Sequence, residues 1–170
     1  MNKLSEVKSI IIRSTLKLDC GKEISNFPIA YETYGKLNEK KDNAILVFHA
    51  LTGDQFACGI NPVTNKDGWW SHLLGPDKAV DTNKFFVICA NVIGGCMGSY
   101  GPASLDEETK KPIGTNFPVI TINDMVNAQF NLLDFFNIEK LFAVMGGSMG
   151  GMQVLQFVSN FPDKAKVAIP

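Results

Sequence analysis

Features that define several specialised protein classes are missing from this sequence. The 170 residues carry a net charge of −1, which provides no basic surface of the kind that nucleic-acid binding requires. No apolar run approaches the roughly 18 residues of a membrane helix, and Ile10-Ile11-Ile12 is too short for the core of a secretory signal. We therefore expect a cytoplasmic protein with neither a nucleic-acid nor a membrane partner.

Cysteine and histidine are scarce as well. The four cysteines lie at positions 20, 58, 89 and 96, with no C-x-x-C pair and no histidine spaced to complete a zinc site. Cys89 lies within an apolar run and is predicted to be a small core residue. We expect reduced thiols, no metal and no bound cofactor.

What the sequence does contain is the pattern of a globular α/β domain. Apolar residues make up 45% of the chain and charged residues 19%. Residues 8–18 and 27–34 alternate like half-exposed strands joined by a turn at 19–22. Three later runs are continuously apolar, as is typical of strands covered on both faces: 44–48, 85–90 and 141–145.

Helical patterns separate the later strands. The spacing of apolar residues predicts a helix from Ile122 to Phe136, with Thr121 or Asn123 as its N-cap. Residues 149–159 are apolar on most sides and predict a buried helix that ends before Phe161-Pro162. Strands that alternate with helices imply an α/β fold with a mostly parallel sheet and helices on both faces.

One pentapeptide carries a chemical signal. Gly146-Gly147-Ser148-Met149-Gly150 matches the pattern G-x-S-x-G of a nucleophile elbow. It directly follows the apolar run 141–145 and opens the helical stretch 149–159, which is the strand–turn–helix setting that the motif requires. Ser148 is therefore predicted to be a nucleophile, held on a strained turn above the carboxyl edge of the sheet.

The glycines around the serine have a steric reason. Gly146 and Gly150 are expected to remove side chains that would collide where the strand and the helix meet. Gly147 and Gly151 are expected to loosen the crowding further. Two other interpretations of such a turn remain, a phosphate-binding loop at the helix N-terminus and an inert turn that only packs. The chain has no Walker-type Lys-Ser/Thr and no G-x-G-x-x-G, which weighs against the phosphate loop.

An elbow serine needs two backbone N–H groups to stabilise the oxyanion of the tetrahedral intermediate. One is expected from Met149, directly after the nucleophile, and the other from the loop 49–54 that follows the run 44–48. Spacing alone does not select the donor residue within that loop.

The sequence offers no base at the position that this elbow normally uses. The usual order is Ser, then Asp or Glu, then His, and downstream of Ser148 there is one acid, Asp163, and no histidine. We interpret His49 as forming a structural hydrogen bond beside the oxyanion loop, and His72 as a surface or helix-face residue.

Several short sequence blocks follow one another along this chain. The last of them is the elbow together with its continuation, Gly151-Met152-Gln153. The others are Phe48-His49-Ala50-Leu51-Thr52-Gly53, Gly68-Trp69-Trp70, Phe85-Phe86-Val87-Ile88-Cys89, Asn91-Val92-Ile93-Gly94-Gly95-Cys96, Gly98-Ser99 with Gly101-Pro102, and Phe117-Pro118-Val119-Ile120-Thr121-Ile122. With these blocks, from about residue 10 to its end, the chain resembles the homoserine O-acetyltransferase family of the α/β-hydrolase superfamily.

The resemblance implies an α/β-hydrolase fold and transfer of an acetyl group from acetyl-CoA, as co-substrate, to the hydroxyl of L-homoserine, a step of methionine biosynthesis. It places the nucleophile on Ser148 and the oxyanion donors on the backbone amides of Leu51 and Met149. It also implies a ping-pong mechanism through an acyl-serine, and a homodimer when the protein is complete. The family's usual Gly-Ser-Thr-Gly-Pro has Tyr100 in place of the threonine in this chain.

The chain stops at Pro170, within or just after a predicted strand that begins at Ala165. Residues 1–170 are therefore interpreted as the N-terminal part of a single α/β-hydrolase domain, through the elbow and the following helix and strand, incomplete at the C-terminus. The family's Asp, His and homoserine-contacting Arg are expected beyond position 170. This chain alone is expected to be inactive and poorly soluble.

Alternatives to acetyl transfer stay open on the sequence. A serine esterase of the same fold shares every catalytic part and differs only in whether water reaches the acyl-enzyme. Relatives that use succinyl-CoA as donor or L-serine as acceptor share the same motifs. The third alternative is a non-catalytic fragment that needs a partner chain.

Overall fold

A computed structural model describes residues 7–106 and 108–170 of the chain. The strands in chain order are β1 (Ser9–Ile12), β2 (Leu16–Lys17), β3 (Glu23–Ile24), β4 (Phe27–Tyr34), β5 (Ala44–Phe48), β6 (Leu74–Gly75), β7 (Val80–Asp81), β8 (Phe86–Ala90), β9 (Leu141–Gly146) and β10 (Ala165–Ile169). The helices are α1 (Ile122–Phe136) and α2 (Met149–Asn160), and a 3-10 turn spans Gly114–Asn116. Six strands form the main sheet, in the spatial order β1-β4-β8-β5-β9-β10.

The centre of the main sheet consists of three parallel strands, β8, β5 and β9, whose residues are buried with the exception of the half-buried Phe142. β4 and β1 are antiparallel at one side, and β10 is parallel to β9 at the other. The central strands coincide with the continuous apolar runs, because neither face of such a strand meets water. The predicted α/β class and mostly parallel sheet are confirmed.

Alternation along the central strands divides their side chains between two cores. On one face, Leu46 and Phe48 pack in a cluster that includes residues of α1 and α2. On the other face, Ile45 and Val47 pack with residues from the segment 57–80. In the described part of the chain, both α-helices therefore lie on one face, which differs from the expected helices on both faces. The connection between β5 and β8 is rich in Gly, Asn and Asp, which favour turns over helix.

Helix α1 has the predicted bounds, and its start is fixed by a capping box. Thr121 is the N-cap: its Oγ1 accepts a hydrogen bond from the Asp124 N–H at 3.2 Å, while its own N–H donates to Oδ2 of Asp124 at 2.9 Å. The second candidate, Asn123, instead donates to the carboxylate of Asp19 at 2.8 Å. The helix ends at Phe136 and is capped by Asn137, which adopts the left-handed conformation with φ of 52°.

Helix α2 begins at the predicted residue and runs one residue further than expected, to Asn160. The prediction of a helix buried on most sides is wrong, because Met152 and Leu155 are each 59% exposed on its outer face. Its inner face buries Val154 and Phe157. Neither α1 nor α2 is long and apolar enough to cross a membrane, and no other helix among the described residues is.

The N-terminal strands differ from the prediction of one strand over 8–18. The chain bends at 13–15, so that β1 pairs with β4 while β2 pairs with β3. The predicted turn joins β2 to β3 and is closed by the N–H of Leu18, which donates to the carbonyl of Lys22 at 2.8 Å. Between β3 and β4, Asn26 adopts a φ of 52°. Apolar alternation continues across the bend at 13–15, and for this reason it did not reveal the change of pairing partner.

Candidate active site

Three strand ends meet at one edge of the main sheet. In the register of the sheet, Phe48 at the end of β5 is paired both with Ala90 of β8 and with Gly146 of β9. The residues that follow these strands, including His49 and Asn91, are therefore brought to the same level. This is the carboxyl edge of the parallel strands, where open α/β sheets bind their ligands.

Ser148 lies at this edge, in the turn between β9 and α2, with a strained backbone. Its φ of 59° and ψ of −126° fall outside the regions that L-residues ordinarily adopt. The residue is exposed, and its side chain makes no capping hydrogen bond to α2. The hydroxyl is thus accessible, and the strained turn that the elbow motif predicts is present.

Two glycines allow the strand and the helix to meet at this turn. A Cβ atom on Gly146 would lie 2.6 Å from the carbonyl oxygen of Phe48, and a Cβ atom on Gly150 would overlap the same oxygen. A Cβ atom on Gly151 would approach the carbonyl oxygen of Gly146 to 3.3 Å. At Gly147 a Cβ atom would meet nothing within 4 Å. The prediction of crowding at Gly147 is therefore wrong, whereas the prediction of crowding at the other three glycines is confirmed.

The two backbone positions predicted to form the oxyanion hole belong to residues that line one cavity. Met149 is the first residue of α2, so its N–H has no helical carbonyl one turn earlier to bind. Leu51 lies in a turn closed by the N–H of Gly53, which donates to the carbonyl of Ala50 at 2.8 Å. Both Leu51 and Met149 line the cavity beside the elbow.

His49 is buried behind the Leu51 turn, and both of its ring nitrogens form hydrogen bonds. Nδ1 donates to the carbonyl of Ala50 at 2.7 Å, and Nε2 accepts from the N–H of Val92 at 3.2 Å and from the amide of Asn91 at 3.3 Å. Burial lowers the pKa of His49, which favours the neutral imidazole that this pattern requires. The predicted structural hydrogen bond of His49 is confirmed, and it joins the loop after β5 to the loop after β8.

Gln153 connects α2 to the same loop. Its fully buried amide nitrogen donates to the carbonyl of His49 at 3.3 Å and, more weakly, to that of Met149 at 3.5 Å. Its Oε1 accepts from the amide of Gln129 on α1 at 2.8 Å. The sequence analysis did not assign a role to either glutamine, since these partners are 24 and 104 positions apart and no local pattern marks them.

Asn91 organises the glycine-rich loop after β8. Its Oδ1 accepts a hydrogen bond from the N–H of Met97 at 3.1 Å, and its carbonyl accepts from the hydroxyl of Ser99. A Cβ atom on Gly95 would lie 2.8 Å from the same Oδ1, so this position has room only for glycine. The asparagine thereby fixes one wall of the cavity.

Asp54 holds the far end of the loop after β5. Its carboxylate accepts from the N–H of Phe56 at 2.8 Å and from the amide of Asn61 at 2.9 Å. Its carbonyl accepts from the indole N–H of Trp69 at 2.9 Å. Burial raises the pKa of the Asp54 carboxyl group. The loop that carries Leu51 is therefore anchored at both of its ends.

The cavity between these loops has a volume of about 300 Å³. Its walls come from the Leu51 turn, from residues 91–96, from Phe117 and Ile120 before α1, and from Met125 and Met149 on the two helices. No charged side chain among the described residues lines it.

Three residues weighed in the sequence analysis do not line the cavity. Asp163 precedes β10, and since β10 is parallel to β9, it lies at the edge of the sheet opposite Ser148. His72 is on the surface, as predicted, in a turn rather than on a helix. Tyr100 packs its ring against Phe27, with centroids 6.4 Å apart, and is not among the cavity-lining residues.

Metal-binding side chains are not grouped anywhere in residues 7–106 and 108–170: no three His, Cys, Asp or Glu residues are arranged to hold an ion. Cys89 is fully buried in the centre of β8, which confirms it as a core residue, and burial raises the pKa of its thiol.

Comparison with known proteins places these features in a family. Residues 43–169 match the family model for the alpha/beta hydrolase fold. The chain is 74% identical over 170 residues to a homoserine O-acetyltransferase of Pelagibacter ubique, and the match covers 100% of this chain and 46% of that protein. The chain thus spans less than half the length of this curated relative.

Solved structures of the same fold include both transferases and esterases. A homoserine O-acetyltransferase from Bacillus anthracis superposes with a TM-score of 0.84 at 33% identity, over 95% of this chain and 44% of that one. Esterase E22 superposes with a TM-score of 0.84 at 36% identity, over 94% of this chain and 46% of that one. The predicted resemblance to homoserine O-acetyltransferases is confirmed, and the chain belongs to the alpha/beta hydrolase fold family.

Proposed function

We propose that this chain carries the nucleophile and the oxyanion hole of an acyltransferase that moves an acetyl group from acetyl-CoA to the hydroxyl of L-homoserine. The observation that carries the proposal is the conformation of Ser148. An exposed serine is held at φ of 59° on a turn whose glycines abut Phe48, beside a cavity that Leu51 and Met149 line. Strain of this kind is maintained at functional sites, where the surrounding structure enforces it.

The proposed reaction has two steps. Oγ of Ser148 attacks the thioester carbonyl, and the backbone N–H groups of Leu51 and Met149 donate hydrogen bonds to the oxyanion that forms. The Oγ–C bond forms, the C–S bond breaks, and the serine proton passes through a base to the departing CoA sulfur. The hydroxyl oxygen of homoserine then bonds to the acyl carbon and the Oγ–C bond breaks, while the homoserine proton passes through the same base to Oγ. This step releases O-acetylhomoserine and restores the serine.

The base for both steps is assigned to a residue outside positions 1–170. His49 is already engaged at both nitrogens, and the exposed His72 does not line the cavity. The carboxylate of Asp163 lies at the opposite edge of the sheet. A histidine from the remainder of a longer protein would complete the site in the chain order that this fold uses.

The names of the relatives support homoserine as acceptor, and with it a place in methionine biosynthesis, but the esterases at the same TM-score favour a second candidate. In a serine esterase the same acyl-serine is attacked by water. The two candidates differ in the acceptor and share the first half-reaction. A cytoplasmic location and a homodimeric assembly stay predictions.

The first half-reaction is tested with radiolabelled acetyl-CoA and the full-length protein that contains this sequence. We expect covalent label on Ser148 in the wild type and none in Ser148→Ala. Ser159→Ala is the matched control, since Ser159 is an exposed serine at the other end of α2. Equal labelling of wild type and Ser148→Ala would show that the nucleophile is wrongly assigned.

Product analysis tests the second half-reaction. With acetyl-CoA and homoserine together we expect O-acetylhomoserine and free CoA in equal amounts. Release of acetate at the same rate with and without homoserine would establish the esterase instead. L-serine, offered as the competing acceptor, is expected to yield less product than homoserine at equal concentration.

A further inference from the structure

The direction of the Leu51 N–H is fixed within its own turn. A trans peptide unit is planar, so its N–H points away from the carbonyl of the same unit. The Leu51 N–H shares a peptide unit with the carbonyl of Ala50, which accepts hydrogen bonds from Nδ1 of His49 at 2.7 Å and from the N–H of Gly53 at 2.8 Å. These two bonds hold the carbonyl in place, and they thereby fix the direction of the Leu51 N–H.

The direction of the Met149 N–H is fixed at the start of α2. This N–H shares a peptide unit with the carbonyl of Ser148, which accepts a hydrogen bond from the N–H of Met152 at 3.1 Å. Neither set of local bonds determines how far apart the Leu51 and Met149 donors are, because the two belong to separate segments. Both donors stabilise one oxyanion only where each lies about 2.7–3.1 Å from it.

The strand pairing ends before it reaches the two donors. The parallel pairing of β5 with β9 extends to Phe48 and Gly146. Beyond this pair, the close approach of the Phe48 carbonyl to Gly146 and Gly150 limits how near the loop and the helix come, but steric contact does not hold them together. Among residues 7–106 and 108–170, the one hydrogen bond between the loop 49–54 and α2 is donated by Gln153.

The amide nitrogen of Gln153 lies next to both donor peptides. Nε2 donates to the carbonyl of His49, one peptide unit before the unit that carries the Leu51 N–H. It also approaches the carbonyl of Met149, one unit after the unit that carries the Met149 N–H. The amide of Gln129 donates to Oε1 of Gln153 at 2.8 Å, which keeps Nε2 turned toward the two carbonyls.

We propose that Gln153 is a positioning residue of the oxyanion hole, which holds the Leu51 and Met149 N–H groups at the separation that one oxyanion requires. The inference rests on the proposed function of Ser148 and adds a residue on which both half-reactions depend. Gln153 is fully buried and does not line the cavity, so it acts through the two carbonyls. A displacement of about 1 Å at an active site can lower a rate by about 100-fold.

Gln153→Glu tests this role, because it replaces the N–H donors with little change in size. An ionised carboxylate places an acceptor against the carbonyl of His49, whereas a protonated carboxyl group donates to it. In the full-length protein with acetyl-CoA and homoserine, we expect kcat for CoA release to fall by about tenfold or more at about pH 8. KM for acetyl-CoA is expected to change by less than about twofold, since both half-reactions use the same oxyanion hole and slow together.

The pH dependence of Gln153→Glu provides a readout that a purely structural role would not give. Burial raises the pKa of a carboxyl group, so the introduced group is protonated in acid and then donates to the His49 carbonyl. The ratio of variant to wild-type kcat is expected to fall as the pH rises from about 6 to about 9. Rates are expressed per chain that acylates Ser148 without homoserine, so that a loss of folded protein does not enter the ratio.

Gln156→Glu is the matched control on the same helix. Gln156 is half-buried, and its amide donates to Asn160 at 2.8 Å, away from both donor peptides. The same substitution at this position is expected to leave kcat and its pH dependence unchanged. Gln153→Asn is neutral and shorter by one methylene, so it is expected to lower kcat at every pH. This second variant keeps the test informative should Gln153→Glu fail to fold.

A mimic of the tetrahedral intermediate measures the oxyanion hole without turnover. Methylboronic acid forms a tetrahedral adduct with the Oγ of a nucleophilic serine, and one oxygen of the adduct takes the position of the oxyanion. We expect Gln153→Glu to weaken inhibition by methylboronic acid by about the same factor as it lowers kcat at that pH. Inhibition by desulfo-CoA, which forms no tetrahedral centre, is expected to stay within about twofold.

The possible outcomes distinguish failure of this role from failure of the proposed function. If the wild type does not acylate Ser148, the proposed function fails and the positioning role falls with it. If the wild type acylates Ser148 and both Gln153 variants keep kcat and boronate affinity within about twofold, the proposed function stands and the positioning role is refuted. A higher KM with unchanged kcat would assign Gln153 to substrate binding, which also overturns the positioning role.

Discussion

The Nε2 atom of His49 accepts a hydrogen bond from the backbone N–H of Val92 at 3.2 Å, so one buried imidazole joins the loops that follow β5 and β8. Because the Nδ1 proton is donated to the carbonyl of Ala50, this arrangement exists only for the neutral ring. Protonation of Nε2 would replace an acceptor by a second donor facing the Val92 N–H. The geometry of the Leu51 turn is therefore linked to pH.

Stability is expected to fall in acid through this imidazole. Burial lowers the pKa of His49 in the folded protein below the ordinary 6.5, so between these two values the unfolded chain binds more protons than the folded one. The stabilising contribution is fully present above pH 6.5 and is lost as the pH falls toward the folded-state pKa. Urea unfolding at pH 7.5 and pH 5.5 measures the difference.

Two histidine variants test the origin of this pH dependence. In His49→Ala the acid-dependent loss is expected to be smaller, and stability at pH 7.5 is expected to drop by about 1–3 kcal/mol because the Val92 N–H is left unpaired. His72→Ala removes an exposed imidazole and is expected to retain the wild-type dependence. An identical dependence in His49→Ala would assign the effect to other groups.

Substitution of the elbow glycines by alanine is expected to lower the free energy of unfolding by different amounts. Gly150→Ala places a Cβ atom against the carbonyl oxygen of Phe48, and we expect a loss of about 2 kcal/mol or more in the free energy of unfolding. Gly147→Ala adds a Cβ atom in open space, and a change within about 0.5 kcal/mol is expected. Thermal or urea unfolding of the two variants side by side distinguishes steric closure of the elbow from a general need for glycine.

The strain at Ser148 predicts that its replacement by glycine is stabilising. Glycine adopts φ of 59° and ψ of −126° without steric cost, so Ser148→Gly is expected to gain about 1 kcal/mol after its greater loss of backbone entropy. Ser148→Ala retains the Cβ atom and is expected to gain less. Chemical denaturation of both variants measures how much the backbone strain at position 148 lowers the free energy of unfolding. A Ser148→Gly variant that is less stable than the wild type would show that the turn is not strained.

The buried pair Gln129 and Gln153 is expected to behave cooperatively. Gln153→Leu leaves the carbonyl of His49 and the amide of Gln129 without their partner, for an expected loss of about 2 kcal/mol. Gln129→Leu is expected to cost less, because the Oε1 of Gln129 is buried and already has no partner. A double-mutant cycle in urea should give a coupling energy of about 0.5 kcal/mol or more, and strict additivity would exclude direct coupling.

Much of the architecture was predictable from local patterns. The continuous apolar runs gave the positions of β5, β8 and β9, because a strand covered on both faces has no polar positions to interrupt it. The bounds of α1 followed from apolar spacing, and Thr121 was one of the two N-cap candidates that the sequence offered. Gly146 and Gly150 were identified correctly as close-contact positions, because the G-x-S-x-G pattern already specifies where strand and helix converge.

What escaped prediction depends on contacts between distant residues. At the bend after β1 the pairing partner of the chain changes from β4 to β3. The apolar alternation of residues 8–18 does not indicate which strand is the neighbour. The link from Gln153 to the His49 carbonyl joins positions 104 apart, and a lone glutamine on a helix carries no local sign of its partner. The open space at Gly147 is likewise a property of the assembled turn.

The indole N–H of Trp69 donates to the carbonyl of Asp54, at the end of the loop that carries Leu51. The chain contains two tryptophans, Trp69 and the adjacent Trp70, whose ring centroids are 4.8 Å apart. The tryptophan fluorescence of residues 1–170 therefore originates from this one pair of adjacent side chains. The chain thus contains its own optical reporter, by which movements of the segment that carries Leu51 can be followed in solution without an attached dye.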